Sequence, residues 1–222
     1  FALRSRHGGQ KPPELCADLI CTFTKAGERV LDPFMGVGGT LIGATICGRK
    51  AVGVEINPRW IEIYREVCRL EGLPEQEAIC GDSRTALEGF DEESFDLVLT
   101  DVPYWNMDRR RRSKGKFKRA GGEAVEPRRS KLSPFGPDGE ETDVTGMAGR
   151  QEWLDTMRAV FSASLRLLRP RRYVVVFIGD MYHSGRYHML SAELAALLES
   201  LGLVLKANLI WYDVSKKLNV YG

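Results

Sequence analysis

Paired cysteines, metal-ligand clusters and long apolar runs are all missing from this sequence of 222 residues. The five cysteines (Cys16, Cys21, Cys47, Cys68, Cys80) are odd in number and contain no Cys-x-x-Cys pair. That pattern excludes a disulfide framework or a zinc ribbon and reads as free buried thiols in a reducing cytosol, so a cytoplasmic location is expected. The three histidines (His7, His183, His188) show no metal spacing with cysteines or acids, and no metal is expected. A Ser-His-Asp set and a nucleophile elbow are also absent. No apolar run approaches the ~18 residues of a membrane span, and no signal peptide is visible, so no membrane partner is expected. There is no internal repeat. Apolar residues make up 43% and charged residues 28%, which excludes collagen-like, fibrous and wholly disordered classes. The length corresponds to one domain, or one domain with a substantial insertion. The chain opens on Phe1 and stops at Gly222 just after a strand-like run, and reads as a piece of a longer one.

What is present begins with an uneven distribution of charge. The net charge is +2, yet residues 105–131 alone carry eleven Lys or Arg against three acids. That segment is therefore +8 and the rest of the chain −6. Arg109, Arg110, Arg111, Arg112, Lys114, Lys116, Lys118 and Arg119 form its densest part. An acidic body with one basic segment fits either a local polyanion contact or a solvated charged loop.

Hydrophobic periodicity gives the class. Leu15, Leu19, Ile20 and Phe23 stand at helical spacing within residues 11–25, with prolines ahead and Gly27 behind. Strands are predicted at Arg29–Asp32, Ala51–Ile56, Glu77–Cys80, Phe95–Asp101, Tyr173–Ile178 and Val204–Tyr212. Helices are predicted at Gly39–Cys47, Arg59–Leu70, Gln151–Leu168 and His188–Leu201. This alternation describes an α/β fold, a mostly parallel sheet with helices on both faces. Between Trp105 and Arg150 the pattern fails, as expected of a long loop or insertion. The chain thus divides into residues 1–104, an insertion at 105–150, and a second part of the same domain at 151–222. Val204–Tyr212 lacks an obvious returning strand, which is expected from beyond Gly222.

Two motifs carry chemistry. Strand-like Val30-Leu31-Asp32 runs into Pro33-Phe34-Met35-Gly36-Val37-Gly38-Gly39-Thr40 and then a helical run. Glycines there let the backbone turn tightly and bring a ligand against main-chain N–H groups at the positive end of the helix. Glu55 ends the next strand nineteen residues after Gly36, where an acid accepts hydrogen bonds from ribose hydroxyls. The G-x-G-x-x-G fingerprint is absent, which disfavours NAD. The second motif, Asp101-Val102-Pro103-Tyr104, stands at the carboxyl end of a strand, where open α/β sheets form their ligand crevice. An acid, a stiff Pro and an aromatic make a slot for a flat polar ring. Gly179-Asp180 reads as a strand-to-loop turn near the same end.

Together these residues resemble the S-adenosylmethionine-dependent DNA amino-methyltransferases, which modify adenine N6 or cytosine N4. Asp32 to Thr40 is similar to the family's D-P-F-x-G-x-G-T cofactor motif, and Asp101 to Tyr104 to its (D/N/S)-P-P-(Y/F/W) catalytic motif. Gln10-Lys11-Pro12 resembles the amino-terminal cofactor-side motif, Glu55-Ile56-Asn57 the ribose-binding acid and its sequel, and Gly81-Asp82-Ser83 the site of the cofactor's adenine. The resemblance covers residues 7–105 well, 151–213 loosely, and 106–150 not at all. It implies a Rossmann-like class I methyltransferase fold with S-adenosylmethionine as cofactor. It further implies Lys11, Asp32, Pro33, Phe34, Gly36, Gly38, Thr40, Glu55 and Asp82 as cofactor contacts, and Asp101, Val102, Pro103 and Tyr104 as the catalytic set. Its implied substrate is the amino group of a flipped base in DNA, adenine N6 before cytosine N4, with a partner chain or further residues reading the target sequence. Val102 stands where the family usually has Pro. A D-x-P-Y form with an aliphatic second residue is also similar to tRNA guanine-N2 methyltransferases, so RNA stays open, as does an inactive nucleic-acid-binding relative. If the basic segment is the phosphate footprint, replacing Arg109, Arg110, Arg111 and Arg112 by Gln should flatten the salt dependence of nucleic-acid binding. An unchanged slope in a salt titration would assign the footprint elsewhere.

Overall fold

The computed structural model describes residues 10–104, 149–183 and 185–211, together with two short strands, Phe117–Lys118 and Ala124–Val125. The remainder of the basic segment lies outside the described residues.

The first helix, α1 (Pro13–Phe23), opens with Pro13 in its first turn behind Pro12 at φ −59°, where the missing N–H costs nothing. Strand β1 (Arg29–Asp32) leads into α2 (Gly39–Ile46), and β2 (Lys50–Glu55) into α3 (Pro58–Glu71). Helix α3 carries its own punctuation. The Asn57 side chain accepts from Arg59 N–H at 3.0 Å, Pro58 sits at the first position, and Gly72 ends the helix at φ 65°. Strand β3 (Glu77–Cys80), the short α4 (Ser83–Ala86) and β4 (Phe95–Asp101) follow. Strands β5 (Phe117–Lys118) and β6 (Ala124–Val125) pair antiparallel. After them come α5 (Arg150–Leu167), β7 (Leu168–Phe177), the hairpin β8 (Met181–His183) and β9 (Arg186–His188), and α6 (Leu190–Ser200).

Five strands form one sheet in the order β3-β2-β1-β4-β7, and every pairing is parallel. Residues up to 104 and residues from 149 on therefore share one sheet through β4 and β7. Side chains alternate between its faces, as a period of two requires. Val30, Leu97 and Leu99 join one core with Ile20, Leu41, Ile42 and Tyr64 from α1, α2 and α3. Leu31, Val52, Val54 and Val98 face the other way, against Leu87 and Leu167. A third cluster packs Trp153, Met157 and Phe161 of α5 on Leu190, Leu194 and Leu197 of α6, with Val102.

Three expectations need correction. Strand β7 starts at Leu168, five residues before the predicted Tyr173. A register shift between Phe95 and Leu97 accommodates Arg169-Pro170-Arg171-Arg172 in the strand, with Arg171 at φ 61°. Arg169 and Arg172 bind the buried Asp96 carboxylate at 2.6 and 3.0 Å, and Arg172 also pairs with Glu28. Second, Val204–Tyr212 is not a strand: residues 203–211 carry no regular element, and Tyr212 lies outside the described residues. A strand needs a ladder partner, and among the described residues none lies beside this run, so Ile210 is left 89% exposed. Third, the thiols are unbonded, but only Cys16 and Cys68 are buried; Cys21 and Cys80 are exposed.

Helices α1 and α2 meet backbone to backbone at Gly43. A Cβ there would lie 2.8 Å from Cys16 Cβ, 2.9 Å from the Ala17 nitrogen and 2.9 Å from the Pro13 carbonyl oxygen. Gly43→Ala should therefore destabilise the fold by about 1–3 kcal/mol through overpacking. Thermal unfolding tests this, and an unchanged melting temperature would mean that the helices separate without cost.

Candidate active site

The sheet order reverses between β1 and β4, since β1 is followed by β2 on one side and lies against β4 on the other. The carboxyl ends of β1 and β4 deliver Asp32 and Asp101 to the crevice that such a reversal opens. The loop after β1 is shaped by glycine. Gly36 (φ 49°) and Gly38 (φ 73°) take left-handed conformations, and a Cβ at Gly38 would collide with the Tyr64 ring. Gly38 then caps α2, and its carbonyl accepts from Ile42 N–H at 2.9 Å.

Glu55 braces this loop from the end of β2. Its two carboxylate oxygens accept Gly36 N–H at 3.0 Å and Asn57 N–H at 2.8 Å. Asp32 is buried beneath the loop, accepting Thr100 Oγ1–H at 2.6 Å and Phe34 N–H at 3.1 Å through one oxygen. Burial pushes its carboxyl up to about 6, and the nearby Asp101 charge adds to the rise. Hydrogen bonds from Thr100, Thr40 and Phe34 oppose it. Asp101 is likewise raised by burial to about 6, against the pull of Lys11, whose Nζ donates to Asp101 Oδ2 at 2.6 Å.

Of the residues singled out by sequence, Lys11, Asp32, Phe34, Gly36, Thr40 and Asp101 line one cleft, closed on a further side by Phe177. Glu55 adjoins it through Gly36. Others turn elsewhere. The Pro33 carbonyl accepts from Ser83 Oγ at 2.5 Å. Asp82 caps α4 and pairs with Arg84 at 2.5 Å, an arrangement that lowers its carboxyl. Within the tetrad, Val102 is buried, with its N–H directed at the Phe177 carbonyl at 3.4 Å, and Pro103 O accepts the Trp153 indole N–H at 2.8 Å. The Tyr104 phenol is partly buried beside Gly179, and burial with the Asp101 and Asp180 charges raises it above its ordinary value. The Asp180 carboxylate in turn accepts Ser191 N–H at 3.0 Å and Oγ–H at 2.7 Å, which ties this turn to the start of α6. The Arg109–Arg112 run, Lys114, Lys116 and Arg119 lie outside the described residues; of Lys118, only the backbone in β5 is described.

Sequence reasoning missed Trp153, Thr100 and Phe177. Thr100 left a trace, a hydroxyl in an otherwise apolar run next to Asp101. Trp153 left none, because its partner lies fifty residues away. Gln10 belonged to the quoted Gln10-Lys11-Pro12 motif but was not assigned a role. Its Oε1 is buried in the cleft with no hydrogen-bond partner among the described residues, and Asp101 Oδ1 shares that state.

Residues 3–66 match the model of the DNA methylase family. The chain is 37% identical over 97 residues to the tRNA (guanine(10)-N2)-dimethyltransferase of Methanothermobacter thermautotrophicus, a match covering 43% of this chain and 28% of that protein. It is 38% identical over 66 residues to the type II methyltransferase M2.DpnII of Streptococcus pneumoniae, covering 30% of this chain and 24% of that one. The chain thus spans less than a third of the curated relatives it matches. Among solved structures, it superposes with a TM-score of 0.52 on a precorrin 8w decarboxylase of Methanobacterium thermoautotrophicum, at 13% identity over 87% of this chain and 74% of that one. The score is 0.50 for a candidate rRNA-methylase of Clostridium thermocellum, at 14% identity over 89% and 83%. At such identities the likeness is one of fold. That fold is the Rossmann-like class I methyltransferase fold.

Because Asp32 holds its proton more tightly in the folded chain, the native state binds more protons than the unfolded one between about pH 4 and pH 6. Its contribution to stability is therefore present below that window and lost as pH rises through it. Asn keeps an oxygen for Thr100 and Phe34 and carries no charge. The melting temperature of Asp32→Asn relative to the parent should rise between pH 4 and pH 7, and a flat difference across that range would contradict the assignment.

Proposed function

We propose that the protein is an S-adenosylmethionine-dependent methyltransferase acting on the exocyclic amino group of a nucleobase, with DNA as the substrate and adenine N6 as the preferred target. The observation that carries this reading is the placement of Asp101. Its carboxylate opens into the same cleft as the glycine loop, with one oxygen held by Lys11 and the other awaiting a donor.

The residues present fit the cofactor. Gly36 and Gly39 line the cleft without side chains where a ligand must approach the backbone. Glu55 stands at the end of β2 for ribose hydroxyls, and Gln10 Oε1 is a buried acceptor without a donor among the described residues. When bound, S-adenosylmethionine supplies an electrophilic methyl group on a sulfonium. The chain's own part is to make an amine nucleophilic. The lone pair of a nucleobase amine is delocalised into the ring. Asp101 Oδ1 and the Val102 carbonyl accept its two hydrogens, which favours a pyramidal nitrogen with its lone pair free to attack. Methylation would leave positive charge on that nitrogen until one of its two hydrogens departs as a proton through Asp101 Oδ1, so acceptors fixed in a dry cleft would bind the transition state more tightly than the ground state. Tyr104, steadied by Gly179, stacks on the base, which must leave its duplex to enter. The buried Trp153 indole holds the Pro103 carbonyl and so fixes the backbone that presents Val102. The basic segment after Trp105 supplies sequence-blind attraction to phosphates.

A second reading has specific support. Val102 in place of proline, and the 97-residue match to a tRNA guanine-N2 dimethyltransferase, favour the guanine N2 amine of RNA. Labelled S-adenosylmethionine offered with unmethylated DNA and unmodified RNA, followed by mass spectrometry of the nucleosides, separates the two. N6-methyladenine is the expected product. Label confined to RNA would move the assignment to guanine N2, and none in either would overturn both. Asp101→Ala should lower transfer by a factor on the order of 10²–10³ and leave S-adenosylhomocysteine affinity nearly intact; full activity in that variant would remove Asp101 from the mechanism.

A further inference from the structure

Lys11 was singled out by sequence as a cofactor contact, yet its ammonium lies on the leading acid of the tetrad, ninety residues away. The Nζ–Oδ2 distance is 2.6 Å, with side-chain exposures of 14% for Lys11 and 25% for Asp101. Nζ also lies 5.5 Å from the centroid of the Phe177 ring at the end of β7. Pro12 and Pro13 follow Lys11 directly, and their fixed φ holds the backbone where it enters α1. The two oxygens of Asp101 are therefore unequal. Oδ2 is committed to Lys11, while Oδ1 is buried with no hydrogen-bond partner among the described residues. A buried acceptor left open is costly unless a ligand completes it.

The groups around Asp101 differ in sign. From β1 comes the Asp32 carboxylate, from the tetrad the Tyr104 phenol with Asp180 behind it, from β7 the uncharged Phe177 ring, and from the segment ahead of α1 the Lys11 ammonium. Burial opposes ionisation of Asp101, and Lys11 favours it.

Resting on the reading of Asp101 as acceptor for the substrate amine, we propose that Lys11 is a positioning residue that grips Asp101 Oδ2, keeps the carboxylate charged and leaves Oδ1 to the amine. Protonation of Asp101 would turn an acceptor into a donor facing an N–H, so the grip matters most at and below neutral pH.

The test is a carboxyl ¹³C titration of aspartate-labelled full chain, with Asp101→Asn used to assign the signal. In Lys11→Met the Asp101 midpoint should move up by about one to three pH units, the range expected for loss of an adjacent opposite charge. In Lys11→Arg, which keeps the charge, it should stay near the parent value. The acid limb of kcat/KM for methyl transfer should move in the same direction in Lys11→Met, with S-adenosylhomocysteine affinity unchanged. An unmoved midpoint in Lys11→Met would overturn the proposal, as would loss of S-adenosylhomocysteine affinity with an unmoved acid limb, which makes Lys11 a cofactor ligand instead. The reading beneath it fails separately: if the parent chain transfers no methyl group to DNA or RNA, the nucleobase assignment falls, whatever the midpoints do.

Discussion

Everything at the site depends on β1 being paired on both sides. Its backbone bonds in parallel to β2 along four residues and to β4 through Val30 and Leu31. The chain passes from β1 to β2 and β3 on one side, then crosses back over the sheet to β4 on the other side of β1. The helices that follow lie on both faces of the sheet, and a crevice is left at the carboxyl ends of β1 and β4. The apolar side chains of β1 and β4 are buried on both faces, so the hydrophobic effect that stabilises the sheet also fixes where Asp32 and Asp101 emerge.

Those two carboxylates set the electrostatics of the cleft. Two acids raised toward 6 by burial and facing one another would tend to hold protons at moderately acid pH. The structure divides the work between them. Asp32 is satisfied by the Thr100 hydroxyl and the Phe34 N–H beneath the loop, a structural arrangement that secures the glycine turn. Asp101 is met by a cation on one oxygen and left open on the other. Identical side chains thus take different tasks because their surroundings differ.

At the other end of the sheet a second charged group carries no such opening. Asp96 is buried, accepts the Arg29 N–H at 3.0 Å and is bound by Arg169 and Arg172. Its carboxyl is lowered by those hydrogen bonds and charges although burial alone would raise it. The full satisfaction of Asp96 locks the irregular start of β7 to β4. The partial satisfaction of Asp101 at the far end of the same strand is what distinguishes a site from a staple.

Much of this was legible in the residues. The alternation of apolar runs with helical spacing predicted the first four sheet strands and α1, α2 and α3 closely, because each is bounded by local punctuation such as Pro13, Gly38, Asn57 and Gly72. The glycine turn and Glu55 were legible for the same reason, their geometry being a property of a few consecutive residues and one strand. Where the outcome depended on distant partners the residues were mute. The early start of β7 needed Asp96 to draw in Arg169 and Arg172, and the run after Leu203 had strand composition but no strand among the described residues to pair with. The sequence by itself determined which chemical groups the protein has and where its chain turns, since propensity, capping and periodicity act within a few residues. Only the tertiary structure decided that Lys11 meets Asp101, that Trp153 holds Pro103 and that Asp32 and Asp101 face each other. Such contacts join positions fifty to ninety residues apart and exist only once the sheet has brought them together.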